Sequence, residues 1–205
     1  MTRDAEWDRW RRAVFGDPYL VWHDGPDFTA MLDRARSDPA MVVGMLRAGL
    51  AAGDELAAQG VRELAAAGLA PAAAPAFLRD AVPGAADDFL IRLSEALFAV
   101  TGDPSWAAPI ASVLRTARSE FTRLAAARAL AGFPPAGTMV DALADAVQDP
   151  EYLVRFHAAN TLLRYAGDPR DITDRPELFE RIVGSAERQS WRAAAQELAA
   201  RVRAA

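Results

Sequence analysis

An arginine returns five times along this chain at nearly constant spacing. Arg62, Arg92, Arg123, Arg155 and Arg192 lie 30, 31, 32 and 37 residues apart. Small and aliphatic residues follow each one, as RELAAAGL, RLSEALFAV, RLAAARAL, RFHAANTLL and RAAAQEL. Self-similarity at this period marks a supersecondary unit that cannot bury its apolar face alone and must stack on copies of itself. That requirement excludes most single-core folds before any element has been assigned.

The units read as helical hairpins. Ala, Leu, Arg and Glu dominate, β-branched residues are sparse, and period-two alternation is rare. The segments pair as 39–51 with 54–68, 71–81 with 85–101, 104–116 with 118–132, 136–147 with 150–166, and 176–185 with 187–203. Each repeated arginine falls in the second member of its pair. Asp-Pro breaks punctuate the chain. At Asp38, Asp103 and Asp149 an apolar-periodic run follows, and these read as helix N-caps with proline at the first helical position. Asp17 and Asp168 read as turns. Gly44, Gly49 and Gly60 interrupt helices, where they permit close packing. Before the array, 3–15 carries Trp7, Trp10 and Val14 on one helical face, and 26–36 carries Phe28, Met31 and Leu32. The segment between them, GDPYLVWHDGPD, reads as a loop. The expected architecture is all-α: an N-terminal helical cap over 1–37, then one continuous α-solenoid of about five hairpins over 38–205.

The stretch DPEYLVRFHAANTLLRYAGDP, 149–169, resembles HEAT repeats, particularly the HEAT-like type of the phycobilisome lyases. The matching residues are Asp149, Pro150, Val154, Arg155, Ala158, Ala159 and Leu162. The resemblance implies that Asp149 and Arg155 join a polar ladder between neighbouring repeats, with Arg62, Arg92, Arg123 and Arg192 in corresponding places. The other four pairs keep the arginine and mostly lose the aspartate six residues before it.

Composition removes several chemistries. Cysteine is absent, so there is no disulfide, thiol nucleophile or thiolate metal site. All 23 basic residues are arginine, which excludes Schiff-base lysine. The net charge of −5 argues against a nucleic-acid footprint, and the acid excess lies before residue 118. The polar start and the lack of about 20 consecutive apolar residues predict neither signal peptide nor membrane span, hence a cytoplasmic protein. No phosphate-cradling glycine loop, GxSxG or HExxH occurs, and no cofactor is expected.

The candidate site follows from the repeat register. Positions one and five residues after the arginine should face outward from the second helices, which line the concave wall of such an array. They give Arg128, Phe156, Asn160 and Glu197, with Arg164 one turn beyond Asn160, a mixed aromatic and polar strip suited to a protein or peptide partner. The expected function is a non-catalytic binding scaffold; the resemblance also admits a HEAT-like lyase or chaperone, or a nucleic-acid binder of the HEAT-like DNA glycosylase type. His23 and His157 have no partner at metal-ligand spacing and read as packing residues. The acid pairs Asp87/Asp88 and Asp141/Asp145 read as a helix start and a solvated face. Trp22, beside His23 and Asp24, is the tryptophan expected to be exposed as a binding anchor.

Overall fold

The computed structural model describes residues 3–17, 19, 21, 23 and 25–205. Trp22 and Asp24 lie outside the described residues. All regular structure among them is helical, in the order α1 (Arg3–Phe15), α2 (Thr29–Ser37), α3 (Pro39–Ala51), α4 (Glu55–Ala66), α5 (Ala74–Ala81), α6 (Asp87–Thr101), α7 (Ala107–Thr116), α8 (Glu120–Leu130), α9 (Gly137–Ala146), α10 (Tyr152–Tyr165), α11 (Pro176–Phe179) and α12 (Arg188–Ala204). The five expected hairpins are α3/α4, α5/α6, α7/α8, α9/α10 and α11/α12. Among the described residues, no helix is long and apolar enough to cross a membrane.

Packing divides the chain into two compact units, Met1–Asp103 and Pro104–Ala205. The division falls at the Asp103-Pro104 break and not at residue 37. The N-terminal helices belong with the first two hairpins, because their aromatic residues make up part of that core. Trp7 and Trp10 are buried and sit 5.5 Å apart; Phe15 meets Trp10 edge-on at 5.6 Å and Phe28 at 5.3 Å. The Trp7 indole N–H donates to Asp54 Oδ2 at 2.9 Å, and Asp54 Oδ1 accepts from the Leu56 N–H at 2.9 Å, capping α4. One aspartate thus both starts a repeat helix and anchors the N-terminal helices on it. Between α1 and α2 the expected loop is partly helical: Tyr19, Val21 and His23 have helical backbone, and the Val21 N–H reaches the Asp17 carbonyl at 3.0 Å.

Two expected N-caps move. Asp38 caps α3 as expected, accepting from the Met41 N–H at 3.1 Å. After Asp103 a 3-10 turn, Pro104–Trp106, intervenes before α7. Asp149 accepts from the Glu151 N–H at 2.9 Å in a turn ahead of α10, which begins at Tyr152. Its carboxylate is thereby free to serve the preceding hairpin.

In the second unit α7 lies against α9 and α8 against α10, so first helices stack on first and second on second. The last hairpin departs from this pattern. The segment read as one helix over 176–185 is a single α turn followed by a π-helical stretch, Glu180–Gly184, and α12 packs on both α9 and α10. Arg203 near the end of α12 reaches Asp141 of α9 at 2.7 Å.

Candidate functional site

Each repeated arginine follows a buried residue: Val61, Ile91, Thr122, Val154 and Trp191. In the first unit, Arg62 and Arg92 share Glu95, with Nη1 contacts at 3.3 Å and 2.8 Å. A helix glutamate there takes the place of the turn aspartate that these repeats lack. In the second unit Arg123 grips Asp149 with two hydrogen bonds, Nε to Oδ2 at 2.7 Å and Nη2 to Oδ1 at 3.1 Å. Its Nη1 donates to the Ala117 and Arg118 carbonyls. This paired geometry is the strong form of an arginine–carboxylate contact, and it raises the Arg123 pKa.

Arg155 is 4% exposed and, among the described residues, has no carboxylate in hydrogen-bond contact. Its Nε donates to the Ile182 carbonyl at 2.6 Å, its Nη1 to the Asp149 and Pro150 carbonyls at 2.8 Å each, and its guanidinium lies 4.0 Å from the centre of the Trp191 ring. Ile182 lies in the π-helical stretch, so the wide turn offers its carbonyl to the fourth repeat. Burial lowers the Arg155 pKa, opposed by the charges of Asp149 and Glu151. Arg192 is exposed on α12 and has no partner among the described residues.

Side by side, α8 and α10 are held in register by three contacts. Besides Arg123–Asp149, the Thr161 hydroxyl donates to the Ala127 carbonyl at 3.1 Å and the Tyr165 hydroxyl to the Leu130 carbonyl at 2.6 Å. Buried Ala126, Ala127, Ala158 and Ala159 bring the two backbones close. The opposite face of each helix is left open. On α8 it carries Phe121, Leu124, Ala125 and Arg128; on α10 it carries Leu153, Phe156, His157, Asn160 and Arg164. At the 32-residue offset of the repeat, Phe121 corresponds to Leu153, Leu124 to Phe156 and Arg128 to Asn160. Phe121 is 73% exposed, Tyr152 53% and Leu153 40%.

The five expected strip residues fare differently. Arg128 and Arg164 are exposed on this face. Phe156 is half-buried, with its ring edge-on to His157 at 5.2 Å. Asn160 is committed to structure: its Nδ2 donates to Asp171 Oδ2 at 2.6 Å and its Oδ1 accepts from the Ile172 N–H at 2.8 Å, pinning the connection between the fourth and fifth hairpins. Glu197 is held by Arg181 at 2.7 Å and Arg201 at 2.5 Å, in a separate cleft of about 400 Å³ that also contains Arg175 and Leu178. Phe121, Tyr152 and Leu153 were outside the expected set. Carrying the same face one turn toward the helix start, to the second residue before the repeated arginine, gives Phe121 and Leu153.

Asp141 and Asp145 are exposed and paired with Arg203 and Arg115. No group of three or more potential ligands that could hold a metal ion occurs among the described residues. His23 is exposed and stacks on Tyr19, and burial followed by the charge of Arg128 lowers the His157 pKa.

The fold is that of a helical-hairpin repeat protein in which Arg62, Arg123 and Arg155 each contact the following repeat. The family model of HEAT repeats matches residues 107–200, and over that span the chain is similar to HEAT repeats. Neither the curated proteins nor the solved structures contained a match.

Proposed function

We propose that this protein is a non-catalytic scaffold that binds a protein or peptide segment along the open face of α8 and α10. The observation that carries the reading is the 73% exposure of Phe121 at the start of α8, with Tyr152 and Leu153 exposed at the start of the neighbouring α10. An exposed cluster of large apolar side chains on a polar-rimmed surface marks an interaction site. The helices beneath are rigid, being fixed to each other by the arginine, threonine and tyrosine contacts, so the cluster is pre-ordered for binding. HEAT repeats commonly serve as protein-interaction scaffolds, which agrees with this use of the surface.

A photo-crosslinking residue placed at position 121 in the native cell tests the proposal. It should trap one polypeptide in stoichiometric amount, while the same residue at position 145 on α9 should not. Equal trapping at both positions, or trapping only at 145, overturns the reading.

A further inference from the structure

We infer that the segment bound by α8 and α10 is an amphipathic helix with a basic start, an apolar middle and an acidic end, lying parallel to the two helices. This inference rests on the proposed binding role and adds the chemistry and direction of the partner. The open face is polarised along its length. Glu120 and Glu151 are exposed at the starts of the two helices. Phe121, Tyr152 and Leu153 come next, followed by Leu124 and Phe156. Arg128 and Arg164 lie beyond, exposed and without a hydrogen bond or ion pair among the described residues. Asp171, near that end, already spends both carboxylate oxygens, on the Asn160 side chain and on Thr173. Both arginines face solvent, and neither forms an ion pair with Asp171 or another carboxylate among the described residues.

Helical rise fixes the spacing. Phe121 to Arg128 is seven residues, roughly 10 Å, and Leu153 to Arg164 is eleven, roughly 16 Å. A helix with bulky residues at i and i+3 or i+4 over Phe121 and Leu153 brings its carboxylates onto the arginines when they lie two to three turns later. In the reverse direction those carboxylates would face Glu120 and Glu151, and like charges in apposition disfavour that docking.

The test selects binders for the full-length chain from a displayed library of random 16-residue segments. Clones from the wild-type chain should carry an apolar pair followed seven to eleven residues later by Asp or Glu. Selection on Arg128→Glu/Arg164→Glu, after its melting curve is shown to match the wild type, should return Lys or Arg at those positions. A selected acidic peptide should bind the double variant at least tenfold more weakly, and the same peptide with its acids changed to lysine should recover that loss. Binders that need Phe121 but show no acid enrichment, or no response to the charge reversal, overturn the inference and leave the binding role standing. If no selected clone loses affinity on Phe121→Ala, the binding role itself fails, and the inference with it. A concentration-dependent dimer of the wild-type chain that disappears on Phe121→Glu assigns the face to a second copy and also overturns the inference.

Discussion

The arginine at 155 and the histidine at 157 lie two positions apart on α10 and illustrate opposite consequences of burial. Arg155 keeps its charge because three carbonyls and the Trp191 ring surround it. Replacing it by alanine leaves those carbonyls without a donor and opens a gap beneath Trp191. The expected loss is about 2–4 kcal/mol, read as a lower denaturant midpoint. Arg155→Lys should recover only part of it, because an ammonium cannot reach three acceptors and stack at once. An unchanged midpoint for Arg155→Ala would remove this residue from the ladder. His157 instead resists charging, through burial first and the nearby Arg128 second. Its folded pKa lies below its unfolded value, so the unfolded chain binds the proton more readily. The resulting contribution to stability is complete above the unfolded pKa of about 6.5 and is lost as pH falls below it. The drop in melting temperature between pH 7.5 and pH 5.5 should therefore be smaller in His157→Gln. Arg128→Ala should move the His157 titration, followed by its ring proton resonances, toward higher pH.

Among the elements, α3 gives the sharpest contrast between local preference and packing. It contains Gly44 and Gly49, and helix propensity favours alanine at both, by roughly 0.5–1 kcal/mol. At Gly44 an added Cβ meets nothing within 4 Å, so Gly44→Ala should raise stability by about that amount. At Gly49 the same atom would lie 2.6 Å from the Trp7 ring and 2.7 Å from the Ala57 Cβ. Gly49→Ala should therefore lower stability, by about 1–3 kcal/mol, because the indole cannot withdraw without breaking its bond to Asp54. Thermal denaturation of the two variants should give shifts of opposite sign; shifts of the same sign would refute the packing account. Gly60, on α4, is an intermediate case: an added Cβ would lie 2.7 Å from a Leu46 methyl and 3.0 Å from the Met31 sulfur, the outer atoms of flexible side chains.

At the scale of the whole molecule the two units have separate cores and different charge. Residues 1–103 hold 16 acids and 10 arginines, and residues 104–205 hold 12 acids and 13 arginines. The second unit has its own arginine contacts and holds the whole of the proposed binding face. A fragment of residues 104–205 should accordingly remain helical by circular dichroism and unfold in one cooperative transition. A fragment lacking cooperativity would show that its core depends on the first unit.

Most helices and their pairing were legible because period, arginine register and Asp-Pro punctuation are local properties; the arginine recurs in every hairpin, while Asp-Pro marks only some of the boundaries. Helical phase also bears on exposure, and Arg128 and Arg164 are both exposed. Other outcomes depended on contacts between residues distant in the chain. Asn160 looks like a free surface amide until the 171–172 connection folds back onto it. Glu197 has the right helical phase for the strip, but α12 packs across α9 and α10 and takes that side chain to another cleft. Asp149 belongs to one hairpin in sequence and to Arg123 of the previous one in space. Phe121 precedes its arginine where helix-start residues are ordinarily polar, and its exposure follows from how α8 packs against its neighbours. Periodicity encodes which way a side chain points from its own helix; what it meets there depends on how the helices stack.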